Sequence, residues 1–237
     1  MKIYIAGQYN SKYVPDDLWL LHNRRLISYF DVMPDKPLPV LCTSKNTILD
    51  SGAFSANTSN IYINMGQYFD YMVRSKLQYG IMLDIIGDPD KTYKNLKLSK
   101  KLTLPFVLIP VLHEGSSIKH LERMVSFNDS YYALSFTNKL NTKQCLRFVS
   151  KCYRKFPFFY TKRIHCLGIC KQDIFEKYPI YSCDTSTAIL SSIKYGHRSS
   201  QLAKVNAIIQ LEEYFKQYAK LERYLTSLWL SRGYNYD

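Results

Sequence analysis

No stretch of this 237-residue chain holds the roughly 18 apolar residues in a row that a membrane span requires, so no membrane partner is expected. The opening Met1-Lys2-Ile3-Tyr4-Ile5-Ala6-Gly7 is a short apolar run that ends in polar residues, as a first strand does, and not a secretory signal. A soluble, cytoplasmic protein is therefore expected. The six cysteines, at 42, 145, 152, 166, 170 and 183, are irregularly spaced in a chain too long to need disulfide staples, and reduced thiols follow. Glycine is sparse where a dinucleotide fold needs it: Ala6-Gly7-Gln8-Tyr9-Asn10 lacks the second and third glycines of a phosphate-binding loop. Internal repeats, linkers and low-complexity tracts are absent as well.

Negative charge is in short supply, with 19 Asp and Glu against 32 Lys and Arg and a net charge of +13. Such a balance sets up a positive field that attracts phosphate polymers, so nucleic acid is the expected partner. A generally Lys-rich proteome gives the same excess, and the charge specifies no contact. Aromatic residues make up 15% of the chain, mostly Tyr, which suits both cores and base-stacking surfaces.

What is present is a core and a rhythm. Hydrophobic residues at 46% suffice for one domain spanning residues 1–237. Short apolar runs recur at Lys2 to Ala6, Val40 to Thr43, Thr47 to Leu49, Gly80 to Ile85, Phe106 to Leu112, Tyr131 to Leu134, His165 to Ile169 and Ile180 to Cys183. Between them, Gln67 to Gln78, Ser117 to Phe127 and Thr142 to Lys155 carry the three-and-four apolar spacing of covering helices. The alternation predicts parallel strands with right-handed crossovers, and about eight strands before residue 190 favour a single (β/α)8 TIM-like barrel over an open sheet. From about 200 to 237 one or two helices are expected to pack on the barrel; a dimerising helix pair, and so a homodimer, fits the same periodicity.

Three short acidic segments close apolar runs: Leu49-Asp50-Ser51-Gly52-Ala53-Phe54-Ser55, Ile81-Met82-Leu83-Asp84-Ile85-Ile86-Gly87-Asp88-Pro89, and Tyr181-Ser182-Cys183-Asp184-Thr185-Ser186-Thr187. Carboxylates at strand ends are how a barrel assembles one active site from distant residues. Asp50 hands over to small residues that let another group approach the backbone, although an Asp there also suits a helix N-cap. Asp84 stands in an apolar run where an ionised carboxylate must be compensated, by a buried Lys or Arg or by a ligand offering N–H donors. Asp184 precedes three hydroxyl residues that could orient it, or else begins a helix over Thr187 to Tyr195. Asp88, before Pro89, has the look of turn chemistry.

Two further strand ends, Pro110-Val111-Leu112-His113-Glu114-Gly115 and Tyr132-Ala133-Leu134-Ser135-Phe136, add possible site residues, and His113 titrates near neutrality. His165, Cys166, Cys170, Cys183 and His197 cluster in one third of the chain without the two ligand pairs of a structural zinc site, so no metal and no cofactor is expected.

Read in order from about 47 to 196, these segments resemble the tRNA-guanine transglycosylase superfamily, especially its short phage-type members that place 7-deazaguanines into DNA. Residues 49–55 are similar to the family's Asp-Ser-Gly-Gly-Phe-Gln segment, which implies that Asp50 lies beside the reacting base, with Ser51, Gly52 and Phe54 in the substrate pocket. Asp84 sits where the family reads the guanine edge, and His113 stands in the place of a base-contacting Gln. Ser135 falls in a segment whose backbone N–H groups approach the purine carbonyl. His165-Cys166-Leu167-Gly168-Ile169 resembles the Met-Gly-Val-Gly strand, which brings Gly168 to the site, and Asp184 falls on the nucleophile. The chain departs at Ser135 and Phe136, bulkier than the family's glycines, and lacks the Cys-x-Cys-x-x-Cys zinc module, since no Cys follows Asp184.

The resemblance implies exchange of guanine in nucleic acid, DNA before tRNA, for a base such as preQ0 or preQ1, in the host cytoplasm if the gene is phage-borne. A nucleobase glycosidase that passes the sugar to water, and a non-catalytic basic nucleic-acid-binding protein, remain alternatives.

Overall fold

The structure, a computed structural model, describes residues 1–7, 18, 20–39, 42–136, 140–190 and 201–236, with side chains from 205 onward in the last segment. Its described strands are β1 (Lys2–Ala6), β2 (Arg25–Ser28), β3 (Thr47–Asp50), β4 (Tyr79–Ile81), β5 (Val107–Ile109), β6 (Val111–His113), β7 (Tyr131–Ser135), β8 (Arg163–Leu167) and β9 (Ser182–Thr185). They form one sheet in the order β5-β4-β3-β2-β1-β9-β8-β7-β6, and every pairing is parallel.

The two edge strands, β5 and β6, are halves of one segment separated by Pro110. Ile109 accepts a hydrogen bond from Met82 N at 2.9 Å on the β4 side, and Pro110 accepts one from Ala133 N at 2.8 Å on the β7 side. Proline has no N–H to offer, so a shared strand that changes partners loses least at this residue. The ring therefore closes through residues 107–113, and the fold is an α/β TIM-like barrel, as the apolar rhythm predicts.

Helices cover the outside: α1 (Tyr29–Val32), α2 (Ala53–Thr58), α3 (Met65–Arg74), α4 (Pro89–Ser99), α5 (Ile118–Val125), α6 (Thr142–Lys155), α7 (Gln172–Phe175) and a long α8 (Gln201–Ser231). Local chemistry starts four of them. Asn64 caps α3, Asp88 caps α4 ahead of Pro89, and Ser117 caps α5. Asn141 and Gln144 form a reciprocal capping box on α6. The turn chemistry at Asp88 is thus helix initiation. As expected, the C-terminal segment is a helix on the barrel: Glu222 of α8 pairs with Arg24 at 2.6 Å, and Trp229 Nε1 donates to Phe175 O at 2.6 Å.

One strand differs from expectation. Residues 42–43 have no regular structure, 40–41 lie outside the described residues, and the ring instead takes in Arg25–Ser28. Arg25 hides that strand in the sequence, because a charged residue opens it. The side chain is nevertheless fully buried, with its guanidinium donating to the carbonyls of His22 and Arg24.

Alternation sorts each strand between two cores. Ile3, Ile27, Leu49, Tyr132, Leu134, Ile164, Cys166 and Cys183 pack outward under the helices. Tyr4, Leu26, Ile48, Ile81, Ile109, Val111, Tyr131 and Ala133 fill the barrel interior. Since Ile48, Ala133 and Leu26 point inward, so do Asp50, Ser135 and Ser28 two residues further on, at the C-terminal mouth.

Candidate active site

Asp50 ends β3, and its Oδ2 accepts the Gly52 N–H at 2.9 Å. Gly52 adopts a left-handed conformation, φ +75°, and is itself the N-cap of α2, so Asp50 is not that cap. A Cβ on Gly52 would lie 2.7 Å from both Phe30 N and Phe30 Cβ and 2.9 Å from Ser28 Oγ, so both the backbone angle and the space demand glycine here. Gly52→Ala is expected to cost about 3 kcal/mol through left-handed strain plus overpacking, read as a lower midpoint in urea unfolding.

Asp84 lies three residues beyond the end of β4, so it belongs to the following loop and not to the strand end itself. Its loop is held from α4, where Asn95 Nδ2 donates to Leu83 O at 3.2 Å and Thr92 Oγ1 accepts from Ile85 N at 2.9 Å. Tyr68 of α3 ties this edge to its neighbour: the hydroxyl is 3.0 Å from Leu49 O and 2.8 Å from Ile81 O. No lysine or arginine compensates Asp84 among the described residues. Its partners are His113 Nε2 at 2.9 Å from Oδ2 and Ser51 Oγ at 3.3 Å from Oδ1. A carboxylate has about four acceptor positions, so two remain for a ligand.

Asp184, 5% exposed on β9, accepts the Gly168 N–H at 2.8 Å and faces His165 Nε2 at 3.1 Å. Both contacts fall on Oδ1, and Oδ2 has no hydrogen bond among the described residues. The hydroxyls that follow Asp184 take no part, since Thr185 Oγ1 bonds Thr187 Oγ1 at 3.1 Å. Nor does Asp184 cap the helix after it: residues 187–190 are helical, and 191–195 lie outside the described residues. Gly168 presents its N–H from a left-handed turn, φ +74°, with open space where a side chain would stand.

Behind Asp184 runs a buried chain that the sequence reading did not single out. His165 Nδ1 is 2.6 Å from Ser182 Oγ, which is 2.5 Å from the Tyr131 hydroxyl. Burial pushes the Tyr131 phenol well above its ordinary value, so it stays a donor. A neutral His165 that turns Nε2–H to the carboxylate accepts on Nδ1 from Ser182, which in turn accepts from Tyr131. The available signal was a histidine on the inward-facing parity of an apolar strand, with a hydroxyl residue two positions before the Asp on the next strand.

The three carboxylates share one electrostatic environment. Asp50 is pushed up to about 7, first by burial and then by Asp84, with Asp184 adding a smaller push and the Gly52 N–H opposing it. Asp50 keeps part of its surface open to the mouth, which tempers the burial effect. A carboxyl that titrates near neutrality can both give and take a proton at working pH.

Ser135 ends β7 with His113 and Leu167 as its register neighbours, on the same mouth. Phe54 stands on α2 with 61% of its surface exposed. Ser28, beside Asp50 in register, has a buried hydroxyl without a hydrogen-bond partner among the described residues. Among the described residues, no three His, Cys, Asp or Glu side chains gather as a metal-binding set, and His197 lies outside them. No described helix is long and apolar enough to cross a membrane, and the six cysteines are free.

No protein-family model matches the chain, and no curated protein does. A solved structure of N-(5'-phosphoribosyl)anthranilate isomerase from Pyrococcus furiosus is similar to it at a TM-score of 0.41 and 14% identity, covering 90% of this chain and 99% of that one. At that distance the likeness carries no argument about chemistry, and the barrel rests on the strand order itself.

Proposed function

We propose that this protein is a pentosyltransferase that exchanges a guanine in nucleic acid, DNA before tRNA, for a 7-deazaguanine such as preQ0, through a glycosyl–aspartate ester on Asp184. The observation that carries the reading is the division of labour on Asp184. One oxygen is held by Gly168 N and His165 while the other accepts no hydrogen bond from the described residues and serves as the attacking atom, at a mouth that also holds Asp50 and Asp84.

In the first step, Asp184 Oδ2 attacks the anomeric carbon, the glycosidic C–N bond breaks with its electron pair going to guanine, and neutral Asp50 supplies the proton. In the second, ionised Asp50 takes the proton from the ring nitrogen of the incoming deazaguanine, that nitrogen attacks the same carbon, and Asp184 leaves. Two inversions give net retention, and the phosphodiester backbone stays intact. The target base must leave its stack to enter a barrel mouth, with the excess of Lys and Arg serving the flanking phosphates.

Asp84, fixed by His113 and Ser51, reads guanine by accepting its adjacent N–H pair. Adenine lacks that pair and would leave a buried carboxylate short of donors. Asp84→Ala is expected to lower kcat/KM for guanine about 10²-fold and to narrow the preference over adenine, with the melting temperature as the control for folding. Loss of stability with unchanged selectivity would assign Asp84 to structure alone.

The overall reaction is tested by incubating the protein with preQ0 or preQ1 and either duplex DNA or tRNA, digesting to nucleosides and weighing the products. A deazaguanine nucleoside is the expected product. Abasic sites with free guanine would instead identify the glycosidase, and unchanged nucleosides with every base and polymer would remove both.

A further inference from the structure

The opposite mouth of the barrel, where strands begin, carries a cavity of about 470 Å³. It is bounded by residues just before or at the start of β7, β8 and β9, and by the chain's tail, Gly233 to Tyr236, which returns beneath the barrel after α8. Ring contacts hold that tail in place: Trp229 meets Tyr234 at 5.6 Å and Tyr181 meets Tyr236 at 6.2 Å between centroids. The Tyr234 hydroxyl also donates to Tyr160 O.

Among the described residues the lining contains two cations, Lys162 and Arg163, and no carboxylate, with Asp129 close enough to feel Lys162. Arg163 is surrounded by phenols: its guanidinium lies 5.0 Å from the Tyr181 ring centre and donates to Tyr79 OH at 3.4 Å, and no ion pair among the described residues includes it. An arginine held by aromatic faces without an acidic partner keeps most of its five donors for an anion. Tyr236 adds a buried hydroxyl with no hydrogen-bond partner among the described residues. Tyr160 is 46% exposed and Tyr234 half-buried, and their rings line the cavity beside the cations, while Tyr181 is buried against Arg163. Cations for a phosphate, rings for a planar heterocycle and the size of the cavity all match one chemical class.

We infer that this cavity is a second binding site, for a nucleotide, whose phosphate sits on Arg163 and Lys162 and whose base lies against the tyrosines. The ligand is either a free mononucleotide or one residue of a strand wrapping the barrel. The site stands apart from the three carboxylates, so the inference does not depend on the chemistry proposed there.

Calorimetric titration with AMP, and separately with a dT12 strand, distinguishes the two sources; neither presents the guanine edge that Asp84 would read. Wild-type protein and Asp184→Asn are expected to bind at least one of these probes equally well. Arg163→Gln and Lys162→Gln are each expected to weaken that binding by about tenfold or more, as loss of a charge-assisted contact does. Lys162→Gln keeps the test valid if Arg163→Gln fails to fold. The inference is overturned if neither probe binds, or if folded Lys162→Gln binds within about twofold of wild type.

Discussion

Asp184→Asn is expected to lower base exchange by about 10⁴-fold or more while nucleic-acid affinity changes by less than about threefold, the pattern of a lost nucleophile. The substitution leaves the surroundings almost untouched. Asparagine keeps an Oδ1 that accepts from Gly168 N and faces His165 Nε2, the two contacts that hold the side chain now. What changes is the other terminus, where the oxygen that no described residue bonds becomes an amide nitrogen that cannot form the ester. A single-turnover assay with labelled base, set beside a filter-binding isotherm, separates the two effects. An Asn variant that exchanges base at the wild-type rate removes Asp184 from the chemistry.

Asp50→Asn is expected to make the protein more stable and less active, and the sign follows from linkage. The folded-state value of Asp50 is about 7, above the ordinary carboxylate range, so the folded state binds this proton more tightly than the unfolded chain. Stability therefore falls as pH rises from about 4 to about 7, and the whole penalty is present above pH 7. A rise of about three pH units sets a ceiling of about 4 kcal/mol. Because the carboxyl keeps some exposure to the mouth, about 2 kcal/mol is the expected gain for the neutral isostere at pH 8. In a chain of this size that raises the melting temperature by about 4–8 °C, and the difference vanishes near pH 4.

Activity is expected to move the other way, because the proposed exchange uses Asp50 as proton donor in one half and as acceptor in the other. A loss of about 10²–10³-fold in kcat is expected, with the wild-type pH dependence near 7 flattened in the variant. An Asn variant that melts lower than wild type at pH 8 would contradict both the shared environment of the carboxylates and the role given to Asp50.

Much of this arrangement was legible because it obeys short-range rules. The parallel strands announce themselves as apolar runs with both faces buried, and Asp50, His113 and Ser135 fall at strand ends as their positions in those runs require. The apolar spacing over 142–155 matches α6 to the residue, and the structure adds the Asn141–Gln144 box that fixes its start. What was not legible depends on partners supplied by the fold. Arg25 opens a buried strand only because the carbonyls of His22 and Arg24 are there to receive its guanidinium.

Asp84 reads as a strand terminus, since nothing in Ile81 to Ile86 marks where β4 ends. The end is set by Asn95 and Thr92, which pull the following backbone away to α4. His165 was visible as the start of an apolar run and as a member of a poor metal-ligand cluster, but not as a partner of Asp184. Its alignment with Ser182 and Tyr131 is a consequence of β7–β8–β9 register, which no local pattern encodes.

The central claim is that Asp184 carries the sugar between the two bases. Mixing the protein with guanine-containing duplex DNA or tRNA in the absence of any incoming base, quenching with acid and measuring intact mass tests it most directly. A protein–nucleic acid adduct that maps by peptide sequencing to Asp184, and that disappears when preQ0 is added before the quench, is the predicted result. Release of guanine with the protein mass unchanged, or an adduct on any other residue, would contradict it.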